Sequence, residues 1–401
     1  MALDEVVDRL AHVFSFALER TSPTSEIQHH TVGRRWIGPD ASPRPGRTAP
    51  ALTRSPGRLT ATVYGRRVLR VTFSTFLSTT WPGIARAEHQ GGTWEVGRVS
   101  SIDARCLAAD RITGDVYAGT HGDGVWRSHD GGRTWLQVGL NDEIVKSLAT
   151  SVAAPGTLWA GTKPPHVWVS RDSGSAWQEL EAFRDIPGRA MWRQPAERPS
   201  TPYVQSLTVS PTDPDVIVAG MEAGAVVRST DGGRTWSGHR KRAFRDCHTV
   251  TFHARDGSRV YEAGGAVLHP GVALSEDAGD TWIRPADGLE ENYGWAVAAD
   301  ADRPDVVFVS LSPGPRFAHS QNNARARIYR RVAEQPWEPL TGGLPQPFDS
   351  MPYALLADPD APGHIYAGTS DGTIFATRDL GDGWERLDLQ LPAIHRTLIA
   401  Y

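Results

Sequence analysis

Short apolar runs, each closed by small residues, recur along the chain: VYAGT at Val116, LWAGT at Leu158, VIVAGM at Val216, VYEAGG at Val260, VFVSLS at Val307 and IYAGTS at Ile365. Their starts lie 42, 58, 44, 47 and 58 residues apart, so a unit of 42–47 residues is stretched twice by insertions. A second series precedes each run: RCLAAD at 105–110, KSLATS at 146–151, QSLTVS at 205–210, HTVTFH at 248–253, WAVAAD at 295–300 and YALLAD at 353–358. A third follows it as an octapeptide ending in Trp: SHDGGRTW at 128–135, SRDSGSAW at 170–177, STDGGRTW at 229–236, SEDAGDTW at 275–282 and TRDLGDGW at 377–384. Each unit therefore reads as three short strands, a tight turn and a fourth strand. That period and content predict a blade of a β-propeller.

Six units are complete, and the two ends supply a seventh. IHRTLIAY at 394–401 matches the first strand of a unit, after which the chain stops. TFLSTTWPGIARA at 75–87 aligns with a second and third strand, and GGTWEV at 91–96 follows as a fourth. The expected fold is all-β: a seven-bladed propeller of four-stranded antiparallel blades over residues 72–401. Pairing of the N- and C-terminal strands closes the ring and leaves no open sheet edge. Residues 1–71 do not fit the pattern. The stretch 31–70 carries nine Arg, no Lys and one acid among many Pro and Gly, the composition of a disordered or spurious extension, or of a basic arm for an acidic partner.

Composition changes this picture little. A net charge of −4 gives no argument for nucleic acid or an anionic membrane, and no apolar run has the length of a membrane span. Two cysteines, Cys106 and Cys247, exclude a disulfide framework and fit a reducing compartment, so a cytoplasmic monomer is expected. The first residues carry Asp4, Glu5 and Asp8, whereas a secretory leader starts basic. No cofactor motif occurs. His248 and His253 fall on opposite faces of a strand, as do the adjacent Cys247 and His248, so neither a metal site nor a Cys–His nucleophile is expected.

In the octapeptide, Asp suits a turn whose backbone N–H groups it accepts, Gly takes positive φ, and Trp buries a large face between blades. The pattern resembles the Asp-box, or BNR repeat, of sialidases, sortilin-type receptors and photosystem II assembly factors, over about residues 72–401. The fifth unit departs from it, reading RVAEQPWEPL with only Trp337 kept. The resemblance implies a propeller but not a function, since enzymes and binding scaffolds share it. The boxes themselves are expected to build rather than react.

Connectivity places the box turns on one face, here called lower, and the second-to-third and blade-to-blade loops on the upper face. Both insertions, 181–202 and 313–327, fall above. The first strands align one position that reads Arg105, Lys146, Gln205, His248, Trp295, Tyr353 and Arg396, at the upper mouth of the channel. Seven large polar or aromatic groups, with His395 and Arg316 beside them, form the candidate ligand site, expected to be partly solvated. They suit an anionic or carbohydrate-like ligand or an extended peptide; a protein partner is a further expectation.

A rival expectation is an exo-acting glycoside hydrolase, with Asp246, Glu291, Tyr293 and Asp349 as catalytic candidates. Resemblance to sialidases would also require three Arg clamping a carboxylate, drawn from Arg105, Arg396 and one of Arg189, Arg193 or Arg316. The sialidase FRIP motif is absent; FRDIP at Phe183 is interrupted by Asp185.

Overall fold

The computed structural model describes residues 73–80, 83–97, 99–193, 200–265 and 270–401. The expectations for 1–71, including a domain boundary near 72, lie outside the described residues. Seven antiparallel sheets form the blades of an all-β propeller. Blade 1 runs Ala104–Ala109, Val116–Thr120, Val125–Ser128 and Leu136–Gln137; blade 2 runs Ile144–Thr150, Leu158–Lys163, Val167–Ser170 and Gln178–Glu179. Blade 3 begins at Val204–Val209, blade 4 at Cys247–Phe252, blade 5 at Tyr293–Ala299 and blade 6 at Pro352–Ala357. In blade 7, the C-terminal strand Leu398–Ala400 pairs with Thr75–Thr80, matching Phe76 with Ala400 and Ser78 with Leu398. Two segments far apart in sequence thus close the ring, as the half-units at 75–96 and 394–401 require.

Five sheets have four strands, whereas those of blades 3 and 4 have three. There the outer edge is reduced to the Leu274–Ile283 bridge in blade 4 and, in blade 3, to Ser237 and Arg240 N–H donating to Arg228 O and Val226 O at 2.8 and 2.9 Å. The local sequences explain it: SGHRK in blade 3 is poor in strand formers, and Pro285 in blade 4 cannot donate to a ladder.

The small residues that close each second strand admit the next blade. A Cβ on Gly161 would lie 2.5 Å from Ser147 Oγ and 2.6 Å from Val204 Cβ; one on Gly119 would lie 2.6 Å from Cys106 Sγ and Val145 Cγ1. Side-chain hydroxyls then join neighbouring first strands that share no ladder. Ser147 Oγ donates to Val204 O at 2.9 Å, Ser206 Oγ to Val250 O at 3.2 Å and Thr249 Oγ1 to Trp295 O at 2.6 Å.

Each octapeptide is a closed polar unit. In blade 1, Asp130 Oδ1 accepts from Ser128 Oγ at 2.8 Å and from the N–H of Arg133 and Thr134 at 3.0 and 2.8 Å, while Thr134 Oγ1 donates to Oδ2 at 2.6 Å. Burial raises the Asp130 pKa, but these donors outweigh it and hold the carboxyl at about 2. Trp135, Trp282 and Trp384 each donate Nε1–H to a glycine carbonyl of their own turn. The residue before that glycine is left-handed in all five copies (Gly131, Ser173, Gly232, Ala278, Leu380; φ 58–72°). Its carbonyl serves the neighbouring blade in four of them: Arg86 bonds Gly131 O, Arg127 Ser173 O, Arg228 Ala278 O and Arg330 Leu380 O. The repeated turn therefore also latches blades together, which its sequence alone does not disclose.

Candidate functional site

In six blades the first strand breaks register as it enters the sheet, and the break falls on the aligned polar position. Arg105 lies between paired Ala104 and Cys106, Lys146 between Val145 and Ser147, and Gln205 between Val204 and Ser206. His248, Trp295 and Tyr353 sit in the same irregularity. A bulged residue leaves the alternation of the ladder and its side chain is re-aimed. The bulge is what lets a large polar group occupy the narrow axis of the propeller. All seven aligned residues, Arg396 included, line one cavity of about 300 Å³ in the channel.

Around the ring the seven residues separate into two arcs. Blades 7, 1 and 2 contribute Arg396, Arg105 and Lys146 in succession, and blades 4, 5 and 6 contribute His248, Trp295 and Tyr353. Gln205 on blade 3 stands between them, and Arg396 Nη1 reaches across the channel to its Oε1 at 2.8 Å. Arg105, Tyr353 and Arg396 are partly solvated as expected, whereas Lys146, Gln205, His248 and Trp295 are drier, at 3%, 8%, 4% and 7% exposed. Seven large groups converging on one axis shield one another, so the ring is a tight constriction.

On the basic arc, Lys146 Nζ lies 4.1 Å from the Tyr203 ring centroid, with Lys163 Nζ at 5.7 Å and Arg396 Cζ at 5.9 Å. Tyr203 donates its hydroxyl to Glu222 Oε2 at 2.5 Å, and Arg105 pairs with Asp103 at 3.0 Å. Desolvation, and then the charges of Arg396, Arg105 and Lys146, hold His395 at about 4. His121 is lowered by desolvation and by Arg105.

On the aromatic arc, His248 stacks on Trp295 at 4.6 Å and 24°, and Trp295 meets Tyr353 edge-on at 5.0 Å. The insertion 313–327 adds a member through its short helix Pro315–Ala318. His319, at the end of that helix, lies 5.2 Å from Trp295 and stacks on Tyr353 at 6.1 Å. Tyr353 Oη donates to Ala318 O at 3.1 Å, so His319 Nδ1–H donates to Tyr353 Oη at 2.8 Å and Nε2 accepts from Tyr293 at 3.0 Å. That assignment requires a neutral imidazole, and desolvation followed by His248 puts its pKa at about 4. Burial raises the Tyr353 phenol to about 12.

Of the catalytic candidates, Asp246 and Tyr293 come together beside Gly265 and both lie against His248, while the other two are placed differently. Glu291 is engaged by Arg327 and Tyr329, Asp246 lies 3.7 Å from His248 Nε2, and Asp349 is exposed in the loop before blade 6. Tyr293 joins the aromatic arc through His319. Arg189 bonds Phe183 O and Pro165 O, and Arg193 bonds Ala190 O and Trp192 O, so both serve the 181–202 loop. Arg316 is exposed on the short helix. Tyr203, Lys163 and His319 carry part of the site and were absent from the sequence expectation. Lys163 ends a strand and Tyr203 immediately precedes one at the predicted upper mouth, a usable signal; His319 lies in an insertion with no repeat partner to flag it.

Burial pushes Cys106 to about 12 and Cys247 well above its ordinary value. Among the described residues no group of three or more His, Cys, Asp or Glu is placed to hold a metal ion, and no helix is long and apolar enough to cross a membrane.

These features define a seven-bladed β-propeller whose channel ends above in a ring that is half basic and half aromatic. No family model and no curated protein matches the chain. Among solved structures it is similar to a GH74 xyloglucanase from Xanthomonas campestris, with TM-score 0.57 and 19% identity over 78% of this chain and 52% of that one. A GH74 enzyme from Niastella koreensis gives TM-score 0.52 and 17% identity over 71% and 45%. U3-55K gives TM-score 0.50 and 8% identity over 72% and 82%. The chain spans about half the length of these two GH74 structures. At such identities the likeness is one of fold, and that fold carries enzymes and WD40 proteins alike.

Proposed function

We propose that this chain is a non-catalytic binding propeller of the Asp-box kind, acting as a cytoplasmic monomer, whose upper channel mouth holds an anionic ligand. Carbohydrate-like and peptide ligands that carry an acid belong to the same reading, as does a protein partner presenting one. The observation that carries it is the grouping of Arg396, Arg105 and Lys146 on adjacent blades around a single cavity. An anion would engage these cations through charge-assisted hydrogen bonds, alongside the acids already beside them, Asp103 on Arg105 and Glu222 on Tyr203. The hydrolase reading is weaker because Glu291 is already committed to Arg327 and Tyr329.

The test is a thermal-shift panel of carboxylates, phosphates and neutral sugars, with fluorogenic glycosides alongside. Stabilisation by anions that disappears in Arg396→Gln supports the reading. Glycoside turnover that survives Arg396→Gln but is lost in Glu291→Gln would replace it with the hydrolase.

A further inference from the structure

Building on the mouth as a binding site, we infer that it selects a small aryl acid. The acid would sit on Arg105, Lys146 and Arg396, with a flat ring against Trp295 and Tyr353. Size argues first. Ligand pockets span about 300–1,000 Å³; this cavity, about 300 Å³ counted from the ring down the first strands to Leu107, Thr251 and Ile399, lies at the small end of that range and takes a compact ligand rather than an oligosaccharide. A dry cavity of about 150 Å³ already admits benzene, which leaves room here for one ring and one acid group.

The arrangement of chemistry argues second. The ring does not scatter its cations and aromatics; it gives each an unbroken arc of three blades, facing each other across the channel. A bare inorganic anion would use one arc and leave the other idle. A neutral aromatic would do the reverse. A molecule with an acid at one end and a π-face at the other engages both, the acid through charge-assisted bonds and the ring by stacking or edge contact.

Arg396 shows where the acid would go. Its guanidinium already spans the channel to a neutral acceptor, Gln205 Oε1 at 2.8 Å, beside Lys146 over the shared Tyr203 ring. An acid oxygen is a stronger acceptor than an amide oxygen, so it would displace Gln205 from that contact. The depressed His395, lowered in part by the same three cations, is consistent with a positive local potential.

Binding to the intact protein is measured by calorimetry with phenyl phosphate, benzoate, inorganic phosphate, phenol and glucose 6-phosphate. Phenyl phosphate, benzoate or both should bind at least about tenfold tighter than inorganic phosphate and phenol, the gain expected from adding one ring contact or one charge-assisted bond. Gln205→Glu offers Arg396 an internal carboxylate and should weaken aryl-acid binding by a similar factor without lowering the unfolding temperature. Trp295→Leu, with Tyr353→Leu as a second variant should the first fail to fold, should reduce aryl-acid affinity to that of inorganic phosphate. If inorganic phosphate or glucose 6-phosphate binds as tightly as phenyl phosphate, and Gln205→Glu abolishes it, the aryl selection is overturned while the anion-binding mouth stands. If no probe binds, or binding ignores Gln205→Glu and both ring variants, the aryl-acid inference is overturned. In that second case only the anion panel with Arg396→Gln decides whether the mouth binds at all.

Discussion

Deleting residues 394–401 should cost this propeller most of its stability, although they form a short terminal segment. The segment contributes Ile394 and Leu398, 0% and 2% exposed, and truncating such a side chain costs about 2–5 kcal/mol. It also makes five backbone bonds to residues 74–79 beyond the regular ladder, from Thr79 N–H to Thr397 O at 3.0 Å through to Tyr401 N–H to Thr75 O at 3.1 Å. At about 0.5–1.5 kcal/mol each these add a few kcal/mol, and the ladder with Phe76–Ser78 adds more. The low end of that total is about 6 kcal/mol, against about 5–15 kcal/mol for a whole domain. The loss also exposes Leu77 and opens a sheet edge in the middle of the ring. Urea unfolding followed by Trp fluorescence measures it, with Leu398→Ala, expected to cost about 2–5 kcal/mol, as the milder partner. A truncated chain that unfolds in one transition within about 1 kcal/mol of the full chain, with the same denaturant slope, would refute ring closure as a source of stability.

Gly161→Ala should cost about 1–3 kcal/mol in the same assay, because its methyl would press on Ser147 and Val204 of the two flanking first strands; Gly91→Ala, with nothing within 4 Å, is the control for strain without packing. Acidification from pH 7 to pH 5 should lower the melting temperature. His239, His319 and His395 are held at about 3, 4 and 4 against an ordinary 6.5, so over that range the unfolded chain binds protons the folded one does not, and stability falls as pH drops through 6.5. His239 Nδ1 accepts from Val226 N–H at 3.2 Å, so His239→Gln should flatten the slope; an unchanged slope would remove it from the cause. Asp130, held at about 2, adds its own loss only below its ordinary 3.8, outside the histidine window.

Much of the fold was legible because a propeller repeats its instructions. Six copies of an apolar run ending in small residues marked the second strands, and the half-units at 75–96 and 394–401 located the closing blade. The upper-face insertions and the aligned ring position followed from connectivity alone. What periodicity could not supply was anything that depends on two blades at once. The grip of Arg86, Arg127, Arg228 and Arg330 on the neighbouring turn is invisible within a unit, although Arg recurs at that third-strand position. The thin outer edges of blades 3 and 4 could have been read from SGHRK and Pro285. The burial of Lys146 and His248 could not, because it arises from seven side chains converging on an axis none of them encodes alone.

That convergence also explains why the ring position varies between blades while the next position along the strand is small. Cys106, Ser147, Ser206 and Thr249 stand in the interblade seam, where space is set by the glycine of a second strand, and the hydroxyls among them donate across it. Side chains there are held to small volume by close packing. The bulged residue just before escapes that seam. It lies in the register break and lines the axial cavity, so residues as different as Arg105, Gln205 and Tyr353 occupy it beside the same single-residue break. The scaffold therefore separates two demands that usually conflict. Blade packing is met by a small residue, and mouth chemistry by its neighbour, one bond away on the same strand. Six positions freed in this way, with Arg396 in the seventh blade, can be set blade by blade, and three adjacent cations opposite three adjacent rings is one such setting.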